Sequence, residues 1–157
     1  VPAWTANIPL VGTRRGLPGY FTLRPLSASG TRCIGTRSNA YGNGSAIDQE
    51  LCSGGYDQQY VYTAEGQLRP RGNNGQCVDI SGGSAGAGKA MHLWDCDGGD
   101  SEKWFITTDG RFRSRQNTGY CATVPNGTLN TGVQLRTEVC GTASWQRFER
   151  VSVPDWP

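Results

Sequence analysis

The sequence predicts an all-β domain built from three copies of one unit. Three features predict it: glycine punctuates the whole chain, short runs rich in β-branched and aromatic residues lie between the glycines, and six cysteines recur at one fixed period. At 157 residues the chain is long enough for one ordinary domain with a real core and too short for two. Its 23 glycines leave no Gly-free stretch beyond eleven residues before Thr142, so long helices have little room. The runs between them, flanked by Gly, Asn and Asp, read as brief strands joined by turns.

The charge balance narrows the partners. The formal net charge is +2, and the 13 Arg and two Lys are scattered with no basic block, which argues against nucleic acid. No apolar run approaches the roughly 20 residues needed to cross a bilayer, so membrane insertion is not expected. The chain begins at Val1 with no Met and no charged-then-apolar leader, as a mature or excised form would.

Cysteine spacing sets the repeat. Cys33, Cys77 and Cys121 are 44 residues apart, and Cys52, Cys96 and Cys140 each follow 19 positions later. The same step relates Tyr60, Trp104 and Phe148, relates Ile34, Val78 and Ala122, and relates Gly66 to Gly110. Three columns agreeing at one period imply three copies of a supersecondary unit, at about 20–63, 64–107 and 108–150. Residues 1–19 then form an N-terminal extension or linker and 151–157 a tail, with Trp4 and Trp156 expected to pack near one another. Zinc sites favour close cysteine pairs and histidine; with a single His in the chain, no metal or other cofactor is expected. Six cysteines allow 15 connectivities. Threefold symmetry selects Cys33–Cys52, Cys77–Cys96 and Cys121–Cys140, because only that choice gives every bond an equivalent environment. Each bond closes a loop worth on the order of 3 kcal/mol and implies an oxidising compartment, hence secretion.

Alternation assigns the faces. In the run from Ala90 to Cys96, period two sends Met91 and Leu93 to one side and His92 and Trp94 to the other. Ile47 and Leu135 hold the place of Met91, so that side is the core and His92 and Trp94 face outward. The three aromatic residues Tyr60, Trp104 and Phe148 are read as one end of a shared interior.

These residues carry a family resemblance. Each unit resembles the ricin-type lectin repeat: Cys, a hydrophobic residue, Asp, a later strand ending in Cys, then Gln-x-Trp. The closing motif stands here as Gln58-Gln59-Tyr60, Glu102-Lys103-Trp104 and Gln146-Arg147-Phe148. The resemblance covers about residues 20 to 150 and implies a β-trefoil of twelve strands. It also implies a non-catalytic module that binds galactose- or GalNAc-type sugars, or xylan-like chains. The site such a family needs is complete in the middle unit alone: Asp79 in Cys77-Val78-Asp79, His92 and Trp94 on the outward strand face, and Asp100, Ser101 and Glu102 ahead of Trp104. At the place of Asp79 the other units have Gly35 and Thr123, at that of Trp94 they have Glu50 and Glu138, and at that of His92 they have Asp48 and Arg136, which read as solvated surface.

The chemistry suits a pyranose, with its apolar face of C–H groups and rim of hydroxyls. Trp94 offers a ring for the face, and an ionised Asp79 accepts two neighbouring hydroxyls in charge-assisted bonds. His92 donates and accepts, and Glu102 or Asp100 takes a further hydroxyl. The bland readings are that Trp94 packs under a loop and that Asp79 caps a turn. Among rivals, a Ser-His-Asp enzyme would have to be built around the single His92, and a glycosidase would pair Asp79 with Glu102. A trefoil protease inhibitor would need an enlarged loop, and the repeat has none. The module is also compatible with being the cell-binding part of a toxin or the targeting part of a glycoside hydrolase. Asn43-Gly44-Ser45 and Asn126-Gly127-Thr128 match the N-glycosylation sequon and are equally good turn sequences.

Overall fold

The structure is a computed structural model, and it describes residues 19–153. Residues 1–18 and 154–157, and with them the expected contact between Trp4 and Trp156, lie outside the described residues. All regular structure among the described residues is strand or single 3-10 turn. The strands are β1 (Phe21–Pro25), β2 (Arg32–Thr36), β3 (Ile47–Leu51), β4 (Tyr60–Tyr62), β5 (Leu68–Pro70), β6 (Gln76–Ile80) and β7 (Lys89–Asp95). They continue with β8 (Trp104–Ile106), β9 (Phe112–Ser114), β10 (Tyr120–Thr123), β11 (Val133–Gln134), β12 (Arg136–Val139) and β13 (Phe148–Ser152). The fold is a β-trefoil. Among the described residues it has thirteen strands where the resemblance implies twelve, because the counterpart of β7 in the last unit is broken at Leu135 into β11 and β12.

Each unit contributes one antiparallel hairpin in the same register, with Cys33 opposite Glu50, Cys77 opposite Trp94 and Cys121 opposite Glu138. That register brings the second cysteine back beside the first, and the disulfides are Cys33–Cys52, Cys77–Cys96 and Cys121–Cys140, with Cα–Cα distances of 4.9, 5.2 and 5.0 Å. β13 pairs with β1 over its whole length, from Phe21 opposite Ser152 to Pro25 opposite Phe148, so the strand runs two residues past the Arg150 boundary that the repeat suggested.

The inward residues of the units meet in one core. Ile34, Val78 and Ala122 form one set, Ile47, Met91 and Leu135 a second, and Tyr60, Trp104 and Phe148 a third. Only about 20 Å³ of space is left among them. Ligand pockets run to roughly 300 Å³ or more, so this core has no room for a ligand. Gly66 and Gly110 mark where the chain crosses that aromatic ring at close quarters: both have left-handed φ, and a Cβ on Gly110 would run into the carbonyl of Phe148.

One core residue carries a fault. Tyr60 is fully buried, among the described residues its hydroxyl finds no hydrogen-bond partner, and burial pushes its phenol well above the usual tyrosine value. A buried hydroxyl without a partner loses its water bonds and regains nothing. Tyr60→Phe should therefore stabilise the protein by about 1 kcal/mol, read as a higher midpoint in denaturant unfolding.

The units interlock through the middle hairpin. Strand β7 takes backbone bonds from the first unit, where Gly44 N–H donates to Leu93 O and Leu93 N–H donates to Ser45 O, both at 2.8 Å. Nearer its start the same edge pairs with β12, Arg136 lying opposite Ala90, while β6 holds the other edge. The Asn43 amide donates to Asp95 Oδ2 at 3.1 Å and accepts the Asp95 N–H at 2.8 Å, so the first sequon asparagine is tied to the end of β7.

Candidate functional site

The outward face of the middle hairpin forms a pocket. On β6, period two turns Val78 and Ile80 inward and leaves Cys77 and Asp79 outward; on β7 it turns Met91 and Leu93 inward and leaves His92 and Trp94 outward. Asp79 stands directly opposite His92 in the ladder, a cross-strand pair in contact. His92 Nε2 lies 2.8 Å from Asp79 Oδ2, and Ser101 Oγ donates to Asp79 Oδ1 at 2.6 Å. Ser101 reaches it from the 3-10 turn Asp100–Glu102, which folds back over β6 just ahead of β8. Asp79 is 8 % exposed, while Trp94 keeps 42 % of its surface open.

Asp79, Gly82, Gly83, His92, Trp94, Asp97 and Ser101 line a pocket of about 340 Å³. Gly82 and Gly83 lie in the turn after β6, both with left-handed φ, and a Cβ on either would meet nothing within 4 Å. One wall is therefore bare backbone. The arrangement offers a flat ring at one side, a carboxylate fixed by two donors at the base, and an open rim.

Four of the six residues singled out in the sequence share this pocket: Asp79, His92, Trp94 and Ser101. Asp100 is exposed on the turn and is not among the lining residues. Glu102 points inward. It is 1 % exposed, and its Oε1 accepts the backbone N–H of Asp97 and Gly98 and the Gln67 amide. The same place in the other units holds Gln58 and Gln146, which tie the turn in the same way. This position braces the closing turn, and Glu102 is not among the residues that line the pocket, where its acidity suggested a partner for a hydroxyl. Asp97, which lines the pocket, was not singled out; its counterparts Ser53 and Gly141 share no residue type with it, so no column marks it.

The buried carboxyl at Glu102 has a consequence for stability. Gln58 and Gln146 each donate Nε2 to a backbone carbonyl, that of Leu51 and that of Val139, and a carboxylate cannot donate. Burial pushes the Glu102 carboxyl above the ordinary value, against the pull of the two backbone N–H groups. The folded protein thus holds this proton more tightly than the unfolded chain, and stability drains away as pH rises through the carboxylate range. Glu102→Gln should stabilise the protein by about 1–2 kcal/mol at pH 7. The gain over wild type should shrink toward zero near pH 4, as read from melting temperatures across that range.

The equivalent places in the other units are built differently. In the first, Gly35 leaves room into which Asp57 turns, its Oδ2 2.9 Å from where a Cβ would stand. Asp48 is not solvated surface as its sequence position suggested: it is fully buried and held by Arg37 through Nε at 2.7 Å and a second guanidinium nitrogen at 3.1 Å. The groove beside it, about 510 Å³, is lined by Glu50 and Asp57 with no aromatic ring. Burial pushes both of those carboxyls up. In the third unit, Trp145 holds the place of Ser101 and lies over Gly127, where a Cβ would come within 2.6 Å of its ring. It covers the wall that stays bare at Gly83. Arg136 and Glu138 pair with each other on the strand.

The family described as the ricin-type beta-trefoil lectin domain matches residues 20–148. Comparison with curated protein sequences gives no match. Among solved structures, the chain is similar to a designed threefold symmetric protein, ThreeFoil, with a TM-score of 0.77 at 20 % identity over 85 % of this chain and 99 % of that one. It is similar to the C-terminal half of an earthworm R-type lectin in complex with GalNAc, with a TM-score of 0.75 at 13 % identity over 87 % and 100 %. The β-trefoil lectin of a Vibrio vulnificus hemolysin/cytolysin, with N-acetyl-D-lactosamine bound, gives a TM-score of 0.67 at 17 % identity over 86 % and 95 %.

Proposed function

Because the chain belongs to the ricin-type β-trefoil lectin family, we propose that it is a non-catalytic carbohydrate-binding module whose sugar site is the pocket of the middle unit. The observation that carries this reading is the juxtaposition of an open indole, Trp94, with a carboxylate, Asp79, across one pocket of monosaccharide size. The indole takes the C–H face of a pyranose. Asp79 accepts hydroxyls from its rim: its two oxygens already receive one protein bond each and keep further lone pairs for the ligand. Asp97 and Ser101 border the same rim. The ligand class is a galactose- or GalNAc-type sugar, with xylan-like chains as the alternative. The earthworm and Vibrio relatives, whose structures hold GalNAc and N-acetyl-D-lactosamine, favour the first.

The inward turn of Glu102 argues against a glycosidase, since the second carboxyl is spent on backbone N–H groups. A shallow site gains little after the cost of immobilising its ligand, so a monosaccharide binds weakly. Firm attachment comes from linkage to further sites, in a toxin, a glycan-degrading enzyme or an assembly. Three disulfides suit an extracellular setting. A glycan array tests the reading, together with an assay for reducing-sugar release from the glycans retained. Retention of terminal galactose or GalNAc glycans with no release is the expected result; release of sugar, or retention of none, would overturn it.

A further inference from the structure

His92 touches both halves of the pocket. Its Nε2 lies 2.8 Å from Asp79 Oδ2, and its ring lies along the Trp94 indole, the centroids 5.5 Å apart and the planes 26° from parallel. A carboxylate only accepts hydrogen bonds, so Nε2 carries the proton and donates it. That nitrogen is spent on the protein, and the side chain is only 13 % exposed.

The geometry follows from the strand. Residues two apart on one face of a strand are neighbours, and in the third unit the same two places hold Arg136 and Glu138 as an ion pair. In the middle unit the contact is one flat ring on another. The imidazole lies along the indole, Trp94 keeps 42 % of its surface open, and Ser101 holds the second carboxylate oxygen at 2.6 Å.

We propose that His92 is a positioning residue: it fixes the Asp79 carboxylate and the Trp94 indole relative to each other and does not itself hold the sugar. The inference rests on the carbohydrate reading above and changes the part His92 plays in it. An exposed indole and an unbraced carboxylate would each have to be ordered when ligand arrives, and fixing them beforehand removes that cost.

The test uses His92→Ala and His92→Phe in the whole chain, with two readouts. The first is the order of the Trp94 indole N–H in sugar-free protein, measured by nitrogen-15 relaxation; the second is affinity for GalNAc and N-acetyllactosamine. His92→Ala should loosen the indole and weaken GalNAc roughly ten-fold. His92→Phe should restore the indole's order, but GalNAc affinity only in part, because phenylalanine has no donor for Asp79. The chain has a single histidine, so its ring signals need no assignment, and GalNAc should leave the Nε2–H hydrogen bond to Asp79 in place. An indole equally ordered in His92→Ala, unchanged GalNAc affinity, or a switch of the Nε2–H hydrogen bond from Asp79 to the sugar would each sink the proposal. If wild type binds neither sugar, the carbohydrate reading fails on its own, and the relaxation data still decide whether His92 orders the indole.

Discussion

Trp94→Ala and Asp79→Ala should each remove retention on a galactose or GalNAc matrix while leaving the protein folded, if the proposed site is the one that binds sugar. The indole contributes about 1–2 kcal/mol of stacking, and hydrogen bonds to a charged carboxylate contribute roughly 1.5–3 kcal/mol. Against an already weak monosaccharide affinity, either loss takes binding down by one to two orders of magnitude, at or below detection. Both substitutions act on the outer face, clear of the core sets that hold the units together. Their melting temperatures should stay within a few degrees of wild type, which separates loss of the site from loss of the fold. Unchanged retention in both variants would mean that the pocket is not where sugar binds.

Trp104→Ala should cost about 3–5 kcal/mol of stability, the range for emptying a large buried aromatic site. Trp104 is fully buried at the meeting point of the units. Its Nε1 donates to the carbonyl of Val78 at 3.0 Å, so truncation opens a cavity and also strands that carbonyl. The melting temperature should fall by roughly 10 °C or more. Trp104→Phe reproduces what the third unit has in Phe148 and keeps most of the packing; it should cost about 1–2 kcal/mol, chiefly the lost hydrogen bond and the smaller ring. A drop of only a degree or two for Trp104→Ala would show that the aromatic set is not what joins the units.

Much of this architecture was legible in the chain because it depends on columns that repeat. The cysteine spacing identifies the disulfides, since an unchanged register in each hairpin carries each pair to the same separation. Period two in the run from Ala90 to Cys96 separates Met91 and Leu93 from His92 and Trp94, and the structure keeps that division. What escaped was decided by side chains meeting across elements. Glu102 reads as a surface acid until backbone N–H groups from the preceding loop close around it. Asp48 reads as solvated until Arg37, eleven residues earlier, grips it. Trp145 shows no sign in sequence that its ring will lie over Gly127. The break at Leu135 is equally silent, because Val133 to Val139 alternates as well as its counterparts do.

The strand that bears His92 and Trp94 is laced along one edge to Gly44 and Ser45 of the first unit and to Arg136 of the third, while β6 holds its other edge. The pocket face is therefore supported by all three units, even though its lining comes from one third of the chain. A peptide cut to residues 64–107 would keep the β6–β7 hairpin but lose the neighbours on that strand's other edge and the aromatic partners of Trp104, and with them the core that braces the hairpin. On the reading proposed above, a graft of the site would have to carry that bracing with it, and Asp97, Gly82 and Gly83, which border the pocket, are the places at which to retune it.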